Sequence, residues 1–204
     1  MFVDIARKIL AEYPDREAFF AVVGRFYPED DVRYKLIVDA YETAEKAFEG
    51  VYRDSGEKYF EHLRAVALII MLHLRQHSHV LIIAALLHDI IEDIKGWNYE
   101  RLRSKYGDEV AMLVWWVSKP HAASDAEKNA RNRDYHHRFN NAPRGALIIK
   151  LADRFHNMLT LWETTPEKRK RKIIETQDFY LPLAEKEMLL IHELEAVLHE
   201  LQTV

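Results

Sequence analysis

Apolar residues in this chain recur every three to four positions along most of its length and almost nowhere alternate with polar ones. That period is helical; a half-buried strand needs period two. Breakers are scarce enough to let the pattern run, with 6 Gly and 6 Pro in 204 residues. Leu36/Ile37, Ala40/Tyr41, Ala44 and Ala47/Phe48 predict an amphipathic helix from about Asp31 to Glu49. Arg53-Asp54-Ser55-Gly56 then reads as a loop. Two helices follow, Lys58 to Gln76 and His79 to about Asp93, apolar on most faces and therefore central. Gly96-Trp97-Asn98 opens another, with Gly107 and Ser118-Lys119-Pro120 bounding two shorter helices. Asp125 to Asn140 is highly polar, either a solvated helix or a mobile segment. Pro143 is expected at the first position of the helix containing Leu147–Leu161. Thr165-Pro166-Glu167 combines an N-cap, a proline and an acidic first turn for a long closing region broken at Pro182. The expected fold is all-α, with an N-terminal helical extension (1–30), a main domain (31–186) and a C-terminal helix (187–204) that packs on the domain or forms a homodimer interface.

Composition narrows the function. Lys+Arg 29 against Asp+Glu 33 gives a net charge of −4, which offers no basic footprint for nucleic acid. Zero cysteines removes disulfides, thiolate catalysis, zinc ribbons and iron–sulfur clusters together. The amphipathic start MFVDIARKILAEYPDRE is no secretory signal, and the longest apolar runs, Ala65–Leu72 and Val80–Leu87, fall well short of the roughly 18 residues of a membrane span. The expectation is a soluble cytoplasmic protein.

Three segments concentrate chemistry. Leu86-Leu87-His88-Asp89-Ile90-Ile91-Glu92-Asp93 ends an apolar helix on four polar groups, His88 one turn from Glu92 and Asp89 one turn from Asp93. Burying a carboxylate beside an imidazole is costly unless a metal or partner neutralises it; a functional site and a salt-bridged helix end both fit the motif alone. Lys150, Asp153, Arg154 and Asn157 form one polar stripe, in which Arg154 offers Asp153 an ion-pair partner and Lys150 suits either a phosphate or a structural pair. Arg53 through His62 is a loop feeding a helix, and His62 alone reads as a core histidine as readily as a ligand. Together His62, His88, Asp89 and Asp153 make a thiolate-free His₂Asp₂ set suited to Mn²⁺, Fe²⁺ or Zn²⁺.

These blocks carry a resemblance. Arg53-x-Ser55-Gly56-Glu57-x-Tyr59-x-x-His62, Ala84-Ala85-Leu86-Leu87-His88-Asp89-x-x-Glu92-Asp93, Lys150-Leu151-Ala152-Asp153-Arg154-x-His156-Asn157-Met158-x-Thr160-Leu161 and Tyr180-x-Pro182-Leu183-Ala184 follow one another over roughly residues 34–186. In this the chain resembles the HD-domain phosphohydrolases and, more narrowly, the hydrolase domain of RelA/SpoT-type enzymes and the small alarmone hydrolases. The resemblance implies a helical bundle with a central metal cleft, and Mn²⁺ held by His62, His88, Asp89 and Asp153. It implies hydrolysis of the 3′-pyrophosphate of the nucleotide (p)ppGpp, with Glu92 and Asp93 positioning or activating water. Arg53 matches the residue that packs on the base, while Ser55, Asn157 and Thr160 match nucleotide contacts; Lys150 is a further candidate. The chain departs from the family at Asp54, where a basic residue is usual, at Leu63, where proline is usual, and at Leu159, where arginine is usual. Asp54 and Leu159 bear on the substrate, so another nucleotide, a ppApp-type alarmone, NADPH, or non-catalytic nucleotide binding stand as alternatives.

Two lesser features complete the reading. His73, His77 and His79 are expected to be no second metal site, and Arg131, Arg133, His136, His137 and Arg138 to form a solvated basic face. Leu190, Leu194, Val197 and Leu201 repeat at helical spacing in the last segment.

Overall fold

The helical period is realised as helices in a computed structural model that describes residues 2–119 and 134–203. In chain order these are α1 (Phe2–Glu12), α2 (Arg16–Val23), α3 (Val32–Ala47), α4 (Tyr59–Leu68), α5 (His79–Leu86), α6 (Ile90–Asp93), α7 (Tyr99–Tyr106), α8 (Asp108–Val117), α9 (134–138), α10 (Arg144–Leu159), α11 (Pro166–Glu175), α12 (Leu181–Glu187) and α13 (Ile191–Gln202). Among the described residues only an isolated bridge, Tyr52 to Lys58, pairs extended backbone.

Side chains cap four of the described helix starts, those of α2, α3, α7 and α11, by accepting otherwise free N–H groups. Asp31 accepts from Arg33 N at 2.7 Å, Asn98 from Arg101 N at 2.9 Å and Thr165 from Lys168 N at 3.3 Å, the last with Pro166 opening the helix as expected. Pro143 is the N-cap of α10, with ψ 149°, one position earlier than expected, and Leu161 falls in a short turn beyond it. The second predicted helix ends early: Leu74 N bonds Ile69 O in a widened turn, and Arg75 takes a left-handed φ of 53°, stopping the helix before Gln76. A second widened turn, Thr176–Tyr180, accommodates Pro182, which has no N–H to donate.

The helix expected to run from His79 to Asp93 is broken at Leu87–Asp89. His88 Nδ1 bonds Ala85 O at 2.8 Å, capturing the carbonyl that a continuing helix would offer to Asp89 N. Asp89 sits at φ −100°, ψ 0°, and Ile90 N turns to Leu87 O at 3.0 Å.

The core explains why these elements stay in place. α5 is buried from Leu81 to Leu86 and packs against α3, α4 and α8. α10 runs through the interior, buried from Ala146 to His156, against α4, α5 and α8. Each such buried Leu, Ile or Phe contributes about 1.5–3 kcal/mol, and truncating Leu63 or Ile149 to Ala costs about 2–5 kcal/mol. Val3, Ala6, Phe19 and Val22 of the first two helices join this core. The repeat Leu190, Leu194, Val197 and Leu201 is buried too, where α13 meets α1 and α10 and Arg7 pairs with Glu200 at 2.6 Å.

Candidate metal centre and adjoining pocket

Three central elements bring four polar side chains together: α4 supplies His62, the break after α5 supplies His88 and Asp89, and α10 supplies Asp153. His62, His88 and Asp89 each place a ligand atom within 4.8 Å of the others. Asp153 stands beside this group, its Oδ1 lying 3.2 Å from His62 Nε2 and 3.8 Å from His88 Nε2, while His88 Nε2 stands 3.2 Å from Asp89 Oδ2. The arrangement fits a divalent cation on its own evidence. His88 Nε2 is buried with no hydrogen-bond partner, and its ring is fixed by the Ala85 carbonyl so that this nitrogen faces the cluster. Two imidazoles and two carboxylates, without thiolate, suit a borderline divalent ion.

The charges lean the same way. Burial opposes charge on His88, yet the Asp89 and Asp153 carboxylates outweigh it and raise its pKa to about 10. Burial would likewise raise Asp89, but His88 holds it at about 2; Lys150 and both histidines hold Asp153 well below the carboxylate range against the same burial. His62 is pushed down by burial. The cluster therefore attracts positive charge.

The outer bonds pin the donors. Tyr59 Oη donates to Asp89 Oδ2 at 2.7 Å, Lys150 Nζ reaches Asp153 Oδ2 at 2.9 Å, and Asn157 Nδ2 donates to Asp153 Oδ1 at 2.5 Å. Glu92 and Asp93 sit on α6, one turn past the His-Asp pair. Glu92 accepts the Lys119 N–H at 2.9 Å; burial and the charges of Asp89 and Glu92 push Asp93 up to about 6.

Beside the cluster lies a cavity of about 250 Å³ whose walls include His62, Arg53, Ser55, Asn157, Thr160 and Lys168. Arg53 Nη2 donates to Asn157 Oδ1 at 2.9 Å and Thr160 Oγ1 at 3.0 Å, and Nη1 lies 3.3 Å from His156 Nδ1. Asp54 is paired with Lys168 at 2.6 Å, loop to α11, with both side chains partly exposed. Lys150 is under Asp153 and not in the cavity wall.

Arg154 is not the partner of Asp153. Consecutive residues on a helix diverge by about 100°, and Arg154 turns to Glu175 at 2.9 Å with its guanidinium 3.8 Å from the Tyr180 ring centre. Glu175 also takes Lys172 at 2.9 Å. Tyr59 and His156 gave no individual signal, although each lies three residues from a donor (Tyr59 from His62, His156 from Asp153) and so on the same helix face. His73 pairs with Glu193 at 2.7 Å and His77 stacks on Phe26 at 3.7 Å. The expected solvated basic face holds at the exposed His137 but not at its neighbours His136 and Arg138. His136 stacks on Phe179 at 3.9 Å and Arg138 donates to Trp115 O and Ser118 O while its guanidinium lies over the Trp115 and Tyr135 rings, because aromatic neighbours cover the cations. Arg131, Arg133 and residues 125–133 of the polar segment lie outside the described residues.

The chain is similar to known proteins in both sequence and fold. A family profile described as HD domain matches residues 40–188. The bifunctional (p)ppGpp synthase/hydrolase SpoT of Escherichia coli (strain K12) is 37% identical over 188 residues, which are 91% of this chain and 26% of that protein. A guanosine-3′,5′-bis(diphosphate) 3′-pyrophosphohydrolase of Haemophilus influenzae is 41% identical over 147 residues (70% and 21%), and a probable GTP pyrophosphokinase of Mycobacterium leprae 36% over 196 (89% and 23%). The chain spans about a quarter of the length of these relatives. Among solved structures, one described as a metazoan ortholog of SpoT that hydrolyzes ppGpp shares the fold, with a TM-score of 0.74 at 22% identity, covering 85% of this chain and 97% of that one.

Proposed function

The chain belongs to the HD domain family, and on that premise we propose that it hydrolyses the 3′-pyrophosphate of ppGpp or pppGpp, with Mn²⁺ as the working ion, releasing pyrophosphate and GDP or GTP. The observation that carries this reading is the convergence of His62, His88, Asp89 and Asp153 beside the acidic pair Glu92 and Asp93. When bound, a divalent ion supplies polarisation of a phosphoryl oxygen and acidifies water. Glu92 and Asp93 orient the attacking water and take its proton; a carboxyl held near 6 is well matched to that task at neutral pH. The water oxygen bonds to the phosphorus attached at the ribose 3′ oxygen, the bond between them breaks, and the departing 3′ oxygen takes up a proton. Arg53 offers its flat cation to the purine, with Ser55, Asn157 and Thr160 bonding the nucleotide around it. Lys150 acts through Asp153, its ammonium being committed there.

Asp54 favours a second reading, the same chemistry on a differently charged nucleotide, because it neutralises Lys168 at the pocket mouth. Among the described residues no helix is long and apolar enough to cross a membrane; action in the cytoplasm is part of the proposal. A chromatographic time course with ppGpp, ppApp and NADPH, with Mn²⁺ and with EDTA, tests both readings. Metal-dependent conversion of ppGpp to GDP and pyrophosphate is expected. Turnover of another nucleotide alone selects the second reading, and silence from folded, manganese-loaded protein overturns both in favour of nucleotide binding without catalysis.

A further inference from the structure

A guanidinium has only donors and stays protonated. Arg53 Nη1 is 3.3 Å from His156 Nδ1, so that nitrogen presents its lone pair and the proton of the neutral ring sits on Nε2. The same His156 Nδ1 lies 2.9 Å from His62 Nδ1. Two lone pairs at that distance repel, so His62 Nδ1 carries the proton and donates it. Nε2, the atom facing Asp153 Oδ1 at 3.2 Å, is the ring nitrogen left to ligate; without a cation it shares a proton with that carboxylate, which a bound ion displaces. A second chain starts from the same guanidinium. Nη2 donates to Asn157 Oδ1 at 2.9 Å, which orients the amide so that Nδ2 donates to Asp153 Oδ1 at 2.5 Å. His62 and His156 are both buried, so water does not compete for these bonds.

We infer that Arg53 is a positioning residue for the metal centre: through His156 it holds His62 in the Nδ1–H form that leaves Nε2 free to ligate, and through Asn157 it holds Asp153. Because Arg53 also lines the cavity, occupancy of the cavity and affinity for the ion are linked reciprocally. The inference rests on the reading that these four residues hold a divalent cation.

Two measurements on the full chain test it without substrate. Long-range ¹H–¹⁵N spectra of the metal-free protein are expected to show His62 protonated on Nδ1 and His156 on Nε2. In calorimetric Mn²⁺ titrations, His156→Phe is expected to weaken binding roughly 10–100-fold although no ligand is removed, while His156→Gln, whose amide oxygen accepts, recovers most of the loss. Arg53→Leu, at a part-exposed position that keeps the fold, is expected to weaken Mn²⁺ about 10-fold and Arg53→Lys to restore it. The inference is overturned by a His62 that carries no proton on Nδ1 in the parent protein, or by folded Arg53→Leu protein binding Mn²⁺ within about twofold of the parent. A parent protein that binds no Mn²⁺ refutes the metal reading instead, and the spectra still decide the tautomers.

Discussion

The inner cluster and the pocket mouth are built by opposite means. At the inner cluster His62, His88 and Asp153 sit on or directly after buried helices, and every donor residue is held by at least one further bond within 3 Å, from Tyr59, Lys150, Asn157, His156 or Ala85. At the mouth, Asp54 and Lys168 reach across from a loop and a helix whose side chains are 49% and 38% exposed. Low dielectric strengthens the inner contacts and makes each one costly to orphan; solvent screens the outer ones. The difference separates what fixes the chemistry from what tunes the ligand.

Substitutions break that contrast in a graded order. Asp153→Asn removes a donor and is expected to abolish turnover and weaken Mn²⁺ by roughly 100-fold or more, beyond the effect of an outer-sphere change; metal titration reads it directly. Next, Glu175→Gln leaves the buried Arg154 guanidinium without its carboxylate and is expected to cost about 3 kcal/mol in denaturant unfolding. Against burial, His136, Arg154 and Lys172 hold Glu175 far below the ordinary carboxylate range. The stability it provides is therefore present above the unfolded value near 4.5 and lost as pH falls below it; the wild-type advantage over Glu175→Gln is expected to fade on acidification.

Asp93 has the opposite sign. Its carboxyl is raised to about 6, so the fold favours the protonated form and loses stability as pH climbs from about 4 to 6. Metal-free Asp93→Asn protein is expected to melt higher than wild type at pH 7 and level with it at pH 4, while the Mn²⁺-loaded variant turns over more slowly. At the mouth, Asp54→Ala is expected to change KM a few-fold with kcat unmoved, an effect shrinking as salt is added, since an exposed pair is worth about 0.2–1 kcal/mol. The comparison fails if Asp54→Ala alters Mn²⁺ affinity as strongly as Asp153→Asn does. Smallest in scope, Thr165→Ala removes the cap of α11 and is expected to cost about 1 kcal/mol in a thermal melt without touching KM for the nucleotide.

The sequence was most legible where one period or one residue type decides the matter. The spacing of Ile37, Ala40, Tyr41 and Ala44 predicted a helix within two residues of its observed bounds. Of the three-segment His/Asp set, His62, His88 and Asp89 bring ligand atoms within 4.8 Å of one another, and Asp153 Oδ1 lies 3.2 Å from His62 Nε2. Periodicity could not show the break at Leu87–Asp89, because it arises from a side chain bonding back to the Ala85 carbonyl, and apolar spacing is blind to that. Nor could adjacency identify the partner of Asp153: Lys150, three residues away, faces it, while Arg154 turns to the chain 21 positions on. His156 carries no signal as a single histidine; its meaning comes from Arg53 and His62 on other elements.

The break between α5 and α6 has a further consequence. On an unbroken helix, His88 and Asp89 would splay about 100° apart and address different neighbours. Turned at Leu87–Asp89, the two adjacent side chains bring Nε2 and Oδ2 to 3.2 Å, two arms from a single dipeptide. An ion held as proposed would meet the second arm already beside the first, at an effective concentration far above that of any free ligand. A helix straightened by design at this point would part the two atoms while keeping every residue of the motif.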